Sequence, residues 1–184
     1  MLSKVARLSR SLAIDVGESR SVIWAAVVNG LAGSHSVSAI GRTVIYRLAG
    51  MRVDRSARIR PSVIIRSPRL SIGPLSTVNY GCIFDNREGV SIGSRVGIGV
   101  GVLFINSDHD TRDPRARAGA GRSARIVVHD GVFVGSGATI LSGVELAQGC
   151  VIAAGAVVKE STLPHGLYVG VPARRIKDLP VVFD

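Results

Sequence analysis

The sequence predicts an all-β protein whose short strands coil into a triangular prism, and three tracks of residues carry this prediction. The tracks repeat every six positions between residues 126 and 158, in register with one another. The first track is aliphatic: Val128, Val134, Ile140, Leu146, Ile152 and Val158. The second, two residues earlier, is small or aliphatic: Ile126, Val132, Ala138, Val144, Cys150 and Ala156. The third is glycine: Gly131, Gly137, Gly143, Gly149 and Gly155.

The six-residue period fits neither an amphipathic helix nor a half-buried strand, whose periods are about 3.6 and 2 residues. It fits short flat strands joined by tight corners, in which one aliphatic side chain of each face points inward and stacks on the next coil. Glycine supplies the backbone freedom that a corner needs. Three such faces close one coil, so the aliphatic track is predicted to form the core.

The same phase extends upstream, so the prism is predicted to span residues 51–172. The aliphatic track there is Ile92, Ile98 and Phe104, then Ile72, Val78 and Phe84, then Val53, Ile59 and Ile65. The period breaks near residues 66–69, 86–89 and 109–125. The last interruption is the longest, and we predict that it is a loop without regular structure that projects from the prism. Such loops are often functional.

Residues 1–50 lack the six-residue period and are predicted to form a helical cap on the first coil, because the end of a solenoid must be covered. Residues 21–33 and 38–50 each have the pattern of a short helix that ends at glycine. The alternative for this region is a role at a membrane surface. That role would use Arg7, Arg10, Arg20, Arg42 and Arg47. The tail, residues 173–184, is expected to fold back against the coils.

Composition narrows the class of protein and of partner. The 184 residues fit one domain, and only 4% are aromatic, which suits thin, repetitive packing. The net charge is +10, and only Lys4, Lys159 and Lys177 among the 23 basic residues are lysines. Arginine favours partners that carry phosphate or carboxylate, so charge alone leaves nucleic acid, an anionic membrane and a phosphorylated cofactor open.

Cysteine usage and the apolar segments bear on the compartment. Cys82 and Cys150 occupy apolar positions far apart, which predicts small buried side chains in a reducing compartment rather than a disulfide. The first twenty residues have no sustained apolar stretch before acidic residues appear, so no secretory signal is expected. The apolar run within residues 21–33 is too short to span a bilayer. We therefore expect a cytoplasmic protein.

Several segments resemble the hexapeptide-repeat acyltransferases, most closely the maltose and galactoside acetyltransferase branch. They are IG-x4-VNYGC at 72–82, VFVGSGATI at 132–140, VIAAGAVV at 151–158 and GVPARRI at 170–176. The spacings from Ile92 to His109 and from His109 to the second segment also match the family. The segment YRLAGMRV at 46–53 is similar to polysaccharide O-acetyltransferases of this superfamily. The resemblance covers roughly residues 70–179 and implies a left-handed parallel β-helix.

The resemblance implies a catalytic role for His109, which lies between two aspartates in FINSDHD, residues 104–110. Imidazole accepts a proton near neutral pH and suits a general base in acyl transfer. Asp108 and Asp110 flank it, but neighbours on a strand point to opposite sides, so either aspartate or a main-chain carbonyl could orient the ring. The resemblance also implies that the main-chain N–H of Ser136 stabilises the oxyanion of the intermediate.

Three polar residues are predicted to bind the acceptor substrate. Asn79 matches an acceptor-contacting asparagine of the family, although an amide that caps a corner would have the same pattern. The acceptor-contacting acid of the family falls near Asp85 and Asn86, and the residue in register here is Arg87. This departure leaves the identity of the acceptor open.

The resemblance implies acetyl-CoA as co-substrate. No metal is expected, because His109 and His129 are twenty residues apart and have no third histidine nearby. The pantetheine arm is expected to lie along small residues, Phe133 to cover the thioester, and cations near the end of the chain to bind the phosphates, with Arg175 assisting. The predicted coenzyme A residues are Phe133, Gly135, Ser136, Ala154, Lys159 and Arg174.

We therefore predict a coenzyme A-dependent O-acetyltransferase that acts on a hydroxyl of a sugar, glycan or related small molecule. The alternative is a non-catalytic β-helix scaffold that binds an anionic polymer or a membrane through its arginines. The groove of the family lies between subunits, so a homotrimer is expected. We expect no nucleic-acid partner, and a peripheral membrane contact stays open.

Overall fold

The computed structural model describes residues 21–181, which form a three-sided prism closed at one end by helical segments. Sheet 1 contains β1 (Arg52–Val53), β4 (Leu70–Ile72), β7 (Val90–Ile92), β12 (Ile126–Val128) and β15 (Glu145–Leu146). Sheet 2 contains β2 (Arg58–Ile59), β5 (Thr77–Val78), β8 (Gly97–Ile98), β13 (Phe133–Val134), β16 (Val151–Ile152), β18 (Gly166–Val169) and β19 (Arg174–Asp178). Sheet 3 contains β3 (Ile64–Ile65), β6 (Ile83–Asp85), β9 (Leu103–Ile105), β14 (Thr139–Leu141) and β17 (Val157–Val158).

The core consists of the predicted aliphatic track. Ile140 is fully buried and stands in parallel register between Phe104 of the preceding coil and Val158 of the next. The rings of Phe84 and Phe104 stack with 4.8 Å between centroids. The predicted corner glycines all have positive φ: Gly131, Gly137, Gly143, Gly149 and Gly155. The prediction of an all-β parallel β-helix with a short helical cap is therefore confirmed.

The cap consists of residues 21–31 and of a second helix, Ala39–Leu48, which we call the cap helix. Residues 21–25 are α-helical and Ala26–Leu31 is π-helical. The cap helix begins after Ser38, whose hydroxyl accepts a hydrogen bond from Gly41 N–H at 3.1 Å. Both segments were predicted as helices.

Arg42 holds the cap together and is not available to a membrane, in contrast to the alternative role considered for it. Its side chain is 2% exposed. Together with buried Thr43 and Tyr46, it forms the side of the cap helix that packs on the first coil. Among residues 21–181, its guanidinium donates only to main-chain carbonyls: Ala32, Ser34, Val37 and Ile59. Arg7, Arg10 and Arg20 lie outside the described residues.

The projecting segment differs from the irregular loop that was predicted. β10 (Ser107–His109) and β11 (Gly121–Ser123) pair in antiparallel register, so the segment is a β-hairpin at its base. The period-six pattern could not indicate this pairing, because the hairpin strands leave the prism and bury little. We call residues 107–123 the hairpin.

The end of the chain folds back as expected, because β19 runs antiparallel to β18. Cys82 and Cys150 are fully buried free thiols, and burial raises the pKa of both. Among residues 21–181, no helix has the length and apolar character that crossing a bilayer requires.

Candidate active site

The imidazole of His109 is exposed on the hairpin and is oriented by the main chain. Its Nδ1 lies 3.0 Å from the carbonyl oxygen of Gly119. A carbonyl only accepts hydrogen bonds, so the neutral ring carries its hydrogen on Nδ1 and leaves the Nε2 lone pair free. The orienting group is therefore a main-chain carbonyl, one of the three possibilities that the sequence left open.

The two flanking aspartates have other partners. Asp108 accepts a hydrogen bond from the main-chain N–H of His109 at 2.7 Å. Asp110 accepts from the guanidinium groups of Arg112, at 2.9 Å, and Arg122, at 3.1 Å. The hydrogen bonds from Arg112, supported by Arg122, lower the pKa of Asp110 to about 2. Asp110 therefore stays ionised and joins the two sides of the hairpin.

The main-chain N–H of Ser136 is open at the corner between sheets 2 and 3. It has no acceptor within residues 21–181, whereas the Ser136 hydroxyl accepts from Val100 N–H at 3.1 Å. Gly99 keeps this N–H uncovered, because a Cβ at position 99 would lie 2.6 Å from Ser136 N. The sequence reasoning missed Gly99, although its place one coil before Ser136 at the same corner could have indicated it.

The next coil repeats this arrangement at Ala154. Its N–H also has no acceptor in the part of the chain that the structure describes. A Cβ at position 135 would lie 2.5 Å from Ala154 N, so glycine is required there. Gly135 itself is buried, and its small size serves the packing between coils rather than the approach of a ligand to Gly135. The two open N–H groups stand roughly 5 Å apart, the spacing of adjacent strands.

One chain does not bring His109 and Ser136 together, because they lie at opposite edges of sheet 3. Ser136 precedes β14, whereas Ser142 follows it and donates to the carbonyl of Asn106 at 3.1 Å, where the hairpin begins. Six positions along the chain separate Ser136 from Ser142, at most about 20 Å of extended backbone. A single chain therefore carries the base and the N–H donor at opposite edges of sheet 3, too far apart to act on one substrate.

The predicted acceptor residues divide between the same two edges. Asp85 pairs with Arg66 at 2.9 Å and accepts from the hydroxyl of Ser107, so it lies at the base of the hairpin. Asn79 lies at the corner that also carries Ser136, and its Oδ1 accepts from Tyr80 N–H at 3.3 Å.

Asn86 is fully buried, and its amide bonds both the N–H and the carbonyl of Ser67. It joins two coils in this way and presents no atom to solvent. This burial argues against the predicted role of Asn86 in substrate binding.

Two of the predicted phosphate-binding cations converge on one carboxylate. Lys159 Nζ lies 3.5 Å from Glu160, and Arg174 Nη1 lies 3.8 Å from the same side chain. Arg175 is occupied, because it bonds Asp178 at 2.6 Å and the carbonyl of Leu163 at 3.2 Å. Of the three cations predicted to bind phosphate, Lys159 and Arg174 therefore stay exposed near the last coil.

The aromatic ring of Phe133 lies on the outside of sheet 2. It is 51% exposed, and a Cβ at Gly97 would meet the ring at 3.1 Å. Glycine at position 97 therefore gives the ring room against the preceding coil.

The outward side of sheet 3 is more apolar than that of sheet 1 when the two faces are compared in register. Its central column is Ile64, Ile83, Leu103, Thr139 and Val157. The corresponding column of sheet 1 is Arg52, Ser71, Ser91, Val127 and Glu145. Sheet 3 thus has an outer surface suited to contact with protein, between the edges that carry His109 and Ser136.

Two of the other described histidines, His35 and His129, have local partners. His129 lies 3.6 Å from Glu145, and the ring of His35 stacks with Tyr80 at 6.3 Å between centroids. Within residues 21–181, no group of three or more histidine, cysteine, aspartate or glutamate side chains is placed to hold a metal ion.

Comparison with known proteins gives consistent results. Residues 125–160 match the family model described as bacterial transferase hexapeptide (six repeats). Nodulation protein L of Rhizobium meliloti (strain 1021) is 38% identical over 125 residues, which cover 63% of this chain and 67% of that protein.

Solved structures share the fold over most of the chain. A hexapeptide-repeat-containing acetyltransferase of Vibrio cholerae O1 biovar eltor, complexed with acetyl coenzyme A, superposes with a TM-score of 0.77 at 24% identity, covering 92% of this chain and 90% of that one. A galactoside acetyltransferase in complex with coenzyme A has a TM-score of 0.78 at 24% identity, covering 88% and 80%. At these identities the likeness concerns the fold.

Proposed function

The chain belongs to the hexapeptide-repeat acyltransferase family, and on this premise we propose that it transfers an acetyl group from acetyl-CoA to a hydroxyl of a sugar, glycan or related small molecule. The observation that carries the proposal is the Nδ1 contact of His109 with the Gly119 carbonyl, which leaves Nε2 as a base. The acetyl-CoA and coenzyme A complexes of structural neighbours support the choice of co-substrate. A maltose O-acetyltransferase of similar fold supports a sugar hydroxyl as acceptor.

The proposed reaction is a direct transfer. His109 Nε2 takes the proton of the acceptor hydroxyl while that oxygen attacks the thioester carbonyl carbon. The Ser136 N–H donates to the oxyanion that forms on the carbonyl oxygen. The carbon–sulfur bond then breaks, and the imidazolium returns the proton to the leaving sulfur, which gives free coenzyme A and the acetyl ester. The Gly119 carbonyl holds the ring on the side that faces the acceptor.

The coenzyme binds along the corner between sheets 2 and 3 in this proposal. The open N–H of Ala154 is a donor for a pantetheine carbonyl, and Phe133 covers the thioester end. Lys159 and Arg174 bind the phosphates as cations exposed at the last coil. Asp85 and Asn79 contact the acceptor from the two edges of sheet 3.

The active unit in this proposal is a homotrimer. His109 and Ser136 lie at opposite edges of the apolar outer side of sheet 3, so a neighbouring copy seated on that side brings the base of one chain to the N–H donor of the next. Closed cyclic assembly repeats one such contact and forms three equivalent sites. The association also covers side chains such as Ile83 and Leu103 that are only half-buried in one chain.

The activity is tested by the release of coenzyme A thiol from acetyl-CoA with a panel of mono-, oligo- and polysaccharide acceptors. Acceptor-dependent thiol release, together with a product heavier by one acetyl group, is the expected result. Thiol release that no acceptor stimulates, with no acetylated product, would favour the non-catalytic scaffold.

Mixed trimers test whether the site lies between subunits. A His109→Ala chain lacks the base, and a Gly99→Ala chain has its Ser136 N–H covered, so each variant alone is expected to be inactive. Suppose that the two groups come from different chains. Random co-assembly of equal amounts of the variants then places an intact His109 opposite an open Ser136 N–H at about a quarter of the interfaces. No recovery on mixing, with mixed trimers verified by mass, would place both groups in one chain and contradict the assembly.

A further inference from the structure

The cap carries exposed aliphatic side chains at the end of the prism, beyond the first coil. Ile40, Val44 and Leu48 are 73%, 49% and 84% exposed. Their spacing of four residues puts them on one stripe of the cap helix, opposite the side that carries buried Arg42 and Tyr46. Residues Ile23 and Val27 of the preceding helical segment add further exposed aliphatic surface. We call this stripe and these residues the cap surface.

Arginines of the first coil and of the cap helix surround the cap surface. Arg47, Arg52, Arg55 and Arg58 are all exposed. Within residues 21–181, none of these four forms a salt bridge. The acid beside them, Asp54, accepts hydrogen bonds from both the hydroxyl and the N–H of Ser56.

The two kinds of residue meet in one cleft. A cavity of about 430 Å³ lies between the cap helix and the first coil, with Ile40, Val44 and Leu48 on one side and Arg55 and Arg58 on the other. Its chemistry matches an amphiphile with an acidic head, because the guanidinium groups bind phosphate and the aliphatic wall accepts acyl chains.

We propose that the cap surface docks on the headgroup region of a bilayer that contains anionic phospholipid. The cap helix lies in the plane of the interface with Ile40, Val44 and Leu48 in the acyl boundary, and the arginines bind lipid phosphates. A second copy docked cap to cap is disfavoured, because a two-fold contact would bring the same four arginines of both copies together. The proposal is independent of the acetyl-transfer reaction.

The docking places the candidate active site close to the membrane. Coils stack roughly 5 Å apart, and the hairpin leaves the third coil, so His109 stands on the order of 10 Å above the first coil. Acceptors held at the membrane surface would therefore be within reach of the hairpin.

The experiment is flotation of the full chain with vesicles of phosphatidylcholine alone or mixed with phosphatidylglycerol. Binding to the anionic vesicles only, weakening as salt increases, is expected. The double variant Arg55→Gln, Arg58→Gln is expected to lower the vesicle partition coefficient roughly 30-fold, since each arginine contributes about 1 kcal/mol. The double variant Ile40→Ser, Leu48→Ser should lower it roughly tenfold or more by removing aliphatic side chains that enter the bilayer.

Matched controls separate docking from general charge. Lys177→Gln removes one positive charge on β19, at the end of the prism opposite the cap, and is expected to change the partition coefficient less than about twofold. The matched single change Arg55→Gln is expected to lower it roughly fivefold. Equal losses for the control and the cap variants would overturn the proposal, as would equal binding to both kinds of vesicle. Heparin binding that is lost on the arginine changes but kept on the serine changes, with no vesicle binding, would identify a polyanion site instead. A smaller mass of Ile40→Ser, Leu48→Ser in light scattering would identify contact between copies.

Discussion

The coils between residues 126 and 158 and the hairpin, residues 107–123, follow different physical rules. In the coils, every inward position is buried and every glycine of the period-six track has positive φ. In the hairpin, His109 is exposed and the contacts are ionic, such as the pairing of Asp110 with Arg112 and of Asp113 with Arg115. Burial stabilises the coils, whereas exposed ion pairs contribute little stability.

This difference in burial and contacts implies that the coils determine the stability of the fold, whereas the hairpin serves the proposed reaction. A change in the coils is expected to alter the free energy of unfolding before it alters turnover, and a change at His109 is expected to do the reverse. The corner that holds Ser136 lies between these cases, because its glycines serve packing and its open N–H groups serve the proposed reaction.

The largest effect is expected for Ile140→Asp. The carboxylate would be buried between Phe104 and Val158 without a partner, which costs several kcal/mol of a total stability of about 5–15 kcal/mol. Loss of the folded circular-dichroism spectrum is the measurement. The control is Val127→Asp, since the Val127 side chain points outward on sheet 1, away from the proposed contact on sheet 3, and the change should leave the fold intact. A folded Ile140→Asp protein would mean that the assignment of the core is wrong.

The next effect is expected for His109→Ala. Losing the base should reduce kcat by ~10²–10⁴-fold, with coenzyme A affinity and the melting temperature unchanged, because the exposed imidazole contributes to neither. His129→Ala is the control, since that imidazole is also exposed but contacts Glu145. Near-normal kcat in His109→Ala with an active acceptor would mean that the hairpin does not supply the base. The proposed division between stabilising coils and a catalytic hairpin would then be wrong.

Gly99→Ala tests the corner that carries Ser136, where packing and the proposed reaction both depend on the same residues. Its Cβ would come within 2.6 Å of Ser136 N and cover the proposed oxyanion donor, so kcat is expected to fall ~10²-fold. Gly30→Ala is the control, because a Cβ there meets no atom within 4 Å. Thermal unfolding separates the two ways in which the change could act. If kcat fell only in proportion to the folded fraction, Gly99 would serve packing alone.

The sequence predicted the coils to the residue because each position there faces the same environment on every turn. Ile140 points inward for the same reason as Val134 and Leu146, so a pattern in one dimension describes the packing. The cap helices were also predicted, from helix-ending glycines and from the need to cover the coils. The tail was predicted to fold back against the coils, but not to pair antiparallel with β18.

The contacts of the site could not be predicted in the same way. The Gly119 carbonyl reaches His109 across a hairpin that has no period, and the flanking aspartates, which looked like suitable orienting groups, have other partners. Asn86 illustrates the opposite error: a polar residue in the right register is buried by pairing with Ser67 on the neighbouring coil. Pairing between coils depends on three-dimensional register, which a residue type alone does not indicate.

The smallest expected effect concerns Glu160. This residue lies near the last coil and contacts both cations that are proposed to bind phosphate. Its carboxylate lies 3.5 Å from Lys159 and 3.8 Å from Arg174, so it competes with phosphate for both cations. Because all three side chains are exposed, Glu160→Gln is expected to tighten coenzyme A binding only about threefold, measured by calorimetry at low salt, and the gain should shrink as salt increases. Glu88→Gln is the control, since it removes the same charge beside Arg69 at another corner. Unchanged or weaker binding in Glu160→Gln would mean that Lys159 and Arg174 do not bind the phosphates, and the coenzyme site would have to be sought elsewhere along the corner that carries Ser136.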